Sequence, residues 1–99
     1  MILQIMKQEA DMVIQKKALA GTLESSDCLV RIEPAEGLSV TIHSVVEQQF
    51  GEQIRQVACT VLENLGVTGA AVDIQDYGAL DCVIAARVET AVRRAGKEA

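Results

Sequence analysis

The sequence predicts an α+β domain: a small, mostly antiparallel sheet, a meander plus one later strand, covered by one long helix and a C-terminal helix. Three observations carry this. Apolar residues alternate with period two between Lys17 and His43, broken by two turn-like clusters. A helical stripe steps by three or four residues from Val46 to Leu65, and a second strand-then-helix pattern fills Gly69 to Lys97. Strands first, then helix, strand and helix, is the order expected of a helical layer over a sheet.

Taken in order, residues 1–15 read as an N-terminal arm or short helix, with Ile2, Ile5, Met6, Val13 and Ile14 on a loose helical stripe, ahead of a single domain at 16–99. Ala18, Ala20 and Thr22 then face one way and Leu19 and Leu23 the other. Ser25-Ser26-Asp27 supplies turn chemistry, and Cys28, Val30 and Ile32 alternate with Leu29, Arg31 and Glu33. Pro34-Ala35-Glu36-Gly37 makes a second turn, after which Leu38, Val40 and Ile42 complete a three-strand meander. Ser44-Val45-Val46-Glu47 matches a capping box, in which serine and glutamate side chains satisfy each other's free N–H groups. The helix it opens would run about 22 residues, or about 33 Å, to a stop at Gly66. Ala70, Val72 and Ile74 form the later strand, and Leu80, Val83, Ile84, Val88, Ala91 and Val92 recur at helical spacing. A continued strand through residues 81–88 is the competing reading of that last segment.

Composition excludes several function classes. The chain has 99 residues with 13 Ala, 12 Val, 8 Ile and 8 Leu, but only Phe50 and Tyr77 as aromatics, so a deep aromatic-lined cofactor pocket is not expected. Its net charge of −5 repels nucleic-acid phosphates and anionic membranes, and no apolar run approaches the ~18 residues of a membrane span. Cys28, Cys59 and Cys82 are odd in number and widely spaced, which suits free thiols in a reducing cytoplasm. Lys7, Glu9 and Asp11 interrupt the apolar start before a secretory segment can form, so a soluble, unprocessed cytoplasmic chain is expected.

Catalytic constellations are sparse. His43 is the only histidine and falls on the polar face of a strand, which suits a surface or cap role; a thiol enzyme would have to pair it with Cys28. Cys59 and Cys82 lie beside apolar helical neighbours and read as small buried hydrophobes. Asp73, Asp76 and Asp81 miss calcium-loop spacing and read as turn and cap residues, and Gly66 and Gly69 lack the pattern of a phosphate loop. No catalytic residue and no metal site is assigned. What remains is the turn Leu23-Glu24-Ser25-Ser26-Asp27, which sets two hydroxyls between carboxylates with no base beside them. Local pattern leaves open whether this is only a turn or an acceptor for an enzyme that brings its own base.

The run Ala20-Gly21-Thr22-Leu23-Glu24-Ser25, with Asp27, Val30-Arg31-Ile32 and Pro34, resembles the N-terminal signature of the acyl carrier (gamma) subunit of citrate lyase. Gln49-Phe50-Gly51, Asp76, Gly78-Ala79-Leu80-Asp81-Cys82, Ile84 and Ala86-Arg87 continue the likeness, which covers residues 18–90. The resemblance implies a carrier that performs no catalysis itself. It places a 2′-(5″-phosphoribosyl)-3′-dephospho-CoA group, in phosphodiester linkage, on Ser25, with Ser26 as the neighbouring competitor. It implies as partners a prosthetic-group transferase, an alpha subunit that exchanges acetyl for citrate on the arm's thiol, and a beta subunit that cleaves the citryl thioester. The malonate decarboxylase carrier is the alternative within this class, and a plain protein-interaction module is the alternative outside it. Arg31 and Arg87 are candidates to meet the phosphates, or else solvated surface arginines.

Overall fold

The computed structural model describes residues 9–45 and 49–99. The elements are β1 (Met12–Ile14), β2 (Ala18–Gly21), β3 (Cys28–Pro34), β4 (Leu38–Ser44), α1 (Gln49–Asn64), β5 (Ala70–Asp76), α2 (Asp81–Ala95) and β6 (Gly96–Glu98). The class is the predicted α+β, and residues 81–88 are helical rather than extended. The main sheet has the order β2-β3-β5-β4, with β2–β3 and β3–β5 antiparallel and β4–β5 parallel.

This order corrects the meander. β5 enters between β3 and β4, because it is the strand best suited to two neighbours: Ala70, Val72, Ile74 and Asp76 are all buried, whereas β4 has no fully buried residue. Parallel neighbours cannot be joined by a tight turn, so α1 serves as the crossover from β4 to β5. Val30, Ile32, Val72 and Ile74 of one sheet face pack with Ile54, Ala58 and Leu62 of α1 and with Ile84, Val88 and Val92 of α2.

Three local expectations meet different outcomes. Ser44 ends β4, and its hydroxyl donates to the Asp76 carboxylate at 2.9 Å; α1 is described from Gln49, and Val46 and Glu47 of the expected capping box lie outside the described residues. Met12–Ile14 form a strand paired with β6, which replaces the helical reading at that point; Ile2, Ile5 and Met6 lie outside the described residues. The stop at Gly66 holds: its φ is +70°, its N–H donates to Glu63 C=O, and Val67 N–H reaches back to Leu62 C=O, the Schellman pattern.

Both outer strands have a carbonyl occupied by an arginine from the helical layer. Ala70 N–H donates to Gly37 C=O, so the odd-numbered residues of β4 face β5 and Val40 C=O points outward, where Arg55 of α1 donates to it. At the other edge, Arg94 of α2 donates to Leu19 C=O of β2 at 2.9 Å. Such contacts blunt the open edges against pairing with another chain.

Candidate functional site

The β2–β3 hairpin brings the candidate serines to one end of the sheet. Thr22 N–H donates to Cys28 C=O at 3.2 Å, and Asp27 N–H donates to Glu24 C=O at 3.2 Å, closing a four-residue turn with Ser25 and Ser26 at its centre. Ser26 has φ +65° and Ser25 does not share that sign, the pattern of a type II turn. Thr22 Oγ1 accepts from Glu24 N–H at 3.1 Å and donates to Asp27 Oδ2 at 2.7 Å, bracing the loop from within.

The turn is also clamped from outside. Ser26 N–H donates to Tyr77 C=O at 2.7 Å, and Tyr77 N–H returns to Asp27 C=O at 2.9 Å. Arg87 of α2 grips the Asp27 carboxylate with both arms, Nε to Oδ1 at 3.0 Å and Nη2 to Oδ2 at 2.9 Å, and Cys28 N–H adds a third donor at 2.7 Å. The Arg87 hydrogen bonds, followed by that of Thr22, hold the Asp27 carboxyl down at about 2, and the same contact raises Arg87 above its ordinary value. Arg87 is thus neither free for a phosphate nor simply solvated. It roots the turn. Arg31 is exposed in β3, paired in register with Leu19 and Asp73, away from the turn.

Above this braced base, Ser25 and Ser26 are both exposed, and neither hydroxyl hydrogen-bonds to any described residue. The two differ in backbone. Ser26 sits in the left-handed region, which costs an L-residue about 1–2 kcal/mol, and its N–H is engaged; Ser25 occupies the corner. Ser26→Gly is therefore expected to unfold at the same or a higher urea midpoint, within about 1 kcal/mol, and Ser26→Val to lose about 1–2 kcal/mol. Urea titrations followed by circular dichroism check both.

Other candidate groups are held apart. Cys28 is fully buried on the core side of β3, and burial, then the Asp27 and Asp76 charges, push its thiol up to about 11. His43 lies exposed on β4, two strands away, with Nε2 at 3.4 Å from Asp73 Oδ1. A Cys28–His43 dyad is not assembled. Asp76 is buried, accepting from Ser44 Oγ and from Ala79 N–H at 3.0 Å, and so ties β4 to the turn after β5; Asp81 accepts from Gln53 Nε2 at 2.9 Å. Cys59 is half-buried, and Cys82 is exposed rather than buried, because it falls off the Ile84–Val88–Ala91 stripe of α2. Beside the serine turn, between the start of α1 and the segment Gly78–Cys82, lies an open recess of about 620 Å³ with no aromatic among its described lining residues.

The model of the acyl carrier family described as malonate decarboxylase delta subunit (MdcD) matches residues 15–95. A citrate lyase acyl carrier protein of Rhodopseudomonas palustris is 58% identical over 88 residues, spanning 88% of this chain and 91% of that one. One from Haemophilus influenzae is 54% identical over 87 residues, covering 88% and 92%. Among solved structures, a chain in a Pseudomonas malonate decarboxylase hetero-tetramer in complex with malonate superimposes with a TM-score of 0.72 at 21% identity, over 88% of this chain and 96% of that one.

Proposed function

This chain belongs to the citrate lyase acyl carrier family, and from that premise we propose that Ser25 is the attachment point of its prosthetic group, a phosphoribosyl-dephospho-CoA in phosphodiester linkage. The observation that carries this reading is the exposed, unbonded Ser25 hydroxyl at the corner of a turn whose root is clamped by Asp27, Arg87 and Tyr77. A phosphodiester is always charged and must stay solvated, which suits this turn and would not suit the aliphatic core. When attached, the group supplies a thiol that carries the acyl unit. The protein's part is to present the hydroxyl without activating it, since His43 is remote and the Asp27 carboxylate is already filled by donors.

On this reading the chain is a non-catalytic subunit of a cytoplasmic complex that cleaves citrate to oxaloacetate and acetate. Its partners are the alpha acyl-transferase, the beta citryl lyase and the transferase that installs the arm. Carriers of citrate lyase at 51–58% identity support citrate over malonate, against 21% for the malonate decarboxylase structure. The test is intact-protein and peptide mass spectrometry after incubation with a citrate lyase prosthetic-group transferase and its donor. Wild type and Ser26→Ala are expected to gain the full adduct mass and Ser25→Ala none; an adduct that survives Ser25→Ala but is lost in Ser26→Ala overturns the assignment. Loading of the holo-protein by a malonate-specific but not a citrate-specific alpha subunit would replace citrate with malonate.

A further inference from the structure

The three most exposed large hydrophobic residues described all belong to the serine-bearing end: Leu23 at 53%, Val45 at 67% and Leu80 at 70%. They come from three separate segments, and backbone hydrogen bonds bring those segments together. Leu23 lies in the hairpin loop, which is bonded to Tyr77; Val45 N–H donates to Asp76 C=O at 3.2 Å; and Leu80 closes the turn that follows Tyr77 and opens α2. Three such residues at the end that carries the two exposed serines form a patch rather than scattered exposure.

Among the described residues, exposed carboxylates stand beside the patch. Glu24 and Asp81 are exposed beside the serine turn and at the start of α2. The cation nearest the turn, Arg87, is spent on Asp27, and Arg55, on α1, donates to Val40 C=O. This end therefore offers apolar anchors within an acidic collar. An enzyme that delivers a phosphate-linked group must hold phosphate with cations around its active-site mouth, which makes that mouth the complement of this collar.

We infer that Leu23, Val45 and Leu80, with Glu24 and Asp81 between them, form the docking face for the enzyme that modifies Ser25, whose matching surface is an apolar seat with a basic rim. This inference rests on the carrier reading above. The apolar residues supply the contact that excludes water, and the carboxylates steer the encounter and set its salt dependence.

The test is steady-state modification of the intact apo-protein by the prosthetic-group transferase, with kcat and KM determined separately. Leu80→Asp and Val45→Asp are expected to raise KM about tenfold or more with kcat changed less than threefold, Leu80→Ala to raise it several-fold, and Glu24→Lys to raise it and flatten its dependence on sodium chloride. Val13→Asp, at an exposed residue of β1 near the other end of the domain, serves as the control and is expected to keep the wild-type KM. Because the altered side chains are mostly in solvent, their variants should keep wild-type circular dichroism; Leu80 is the N-cap of α2, where aspartate caps better than leucine, so Leu80→Asp should unfold at the same or a higher urea midpoint, and Leu80→Ala removes the side chain without adding a cap. If KM for Leu80→Asp, Val45→Asp and Leu80→Ala stays within twofold of wild type while Ser25 is still modified, the docking face is wrong and the carrier reading stands. If wild type gains no adduct on Ser25, the carrier reading fails first and the docking face falls with it.

Discussion

Gly21→Ala is expected to remove a large share of the stability of this domain. Gly21 ends β2 with φ +100°, and a Cβ built there would lie 1.9 Å from the carbonyl oxygen of Cys28, a backbone atom of the paired strand that cannot swing aside. The same Cβ would press on the Arg87 side chain, 3.2 Å from its Cδ, so the strain reaches the clamp beneath Ser25 as well. Backbone strain and overpacking together should cost roughly 3–5 kcal/mol, against a typical domain stability of about 5–15 kcal/mol. Urea unfolding should show a large fall in midpoint or a lost cooperative transition, and modification at Ser25 should fall with it. A near-wild-type midpoint would show that the hairpin can open at Gly21 without consequence.

Asp27→Ala is expected to loosen the serine turn and to remove an acid-sensitive contribution to stability. It deletes the acceptor for Thr22, for both arms of Arg87 and for Cys28 N–H, and leaving that partly buried N–H unpaired alone costs about 1–3 kcal/mol. The pH dependence follows from linkage. Asp27 is held at about 2 in the folded chain against an ordinary 3.8, so between these values the unfolded chain binds more protons. Its contribution is therefore fully present above pH 3.8 and is lost as the pH falls through about 2. Thermal melts across that window should show wild type losing more stability than Asp27→Ala, with the two curves converging at the acid end. Parallel curves would mean that the Arg87 contact does not persist in solution.

Much of this architecture can be read locally, and what cannot is long-range. Period-two alternation located β2 to β5 because each has one face on the core, and Gly66 announced the end of α1 because a left-handed helix end suits glycine. Strand order has no such local signature: nothing near Ala70–Asp76 specifies that it will separate β3 from β4. Ser44 shows the same limit in one side chain. Its hydroxyl reads locally as a helix cap, and nothing near it announces the bond it donates to Asp76, thirty-two residues away. β1 is three residues long, too short to reveal a period, and its partner lies at the far end of the chain. At the site, the turn was visible in Ser25-Ser26-Asp27, but its clamp was not, because Asp27 and Arg87 are sixty residues apart. The blocks that carried the family resemblance did include both residues, although nothing in their spacing paired them.

That sixty-residue separation has a consequence in time. As the chain leaves the ribosome, Gly21 to Asp27 emerge well before the backbone that pins Ser26 and the guanidinium that fills Asp27, which belong to Tyr77 and to Arg87, sixty residues beyond Asp27. Until then the hydroxyls ride on an unbraced loop, without β5 beside β3. An enzyme that recognises the braced turn would therefore act on finished carriers and pass over nascent or truncated ones. The geometry around Ser25 would then serve as a built-in check that the domain is complete before an expensive group is attached to it.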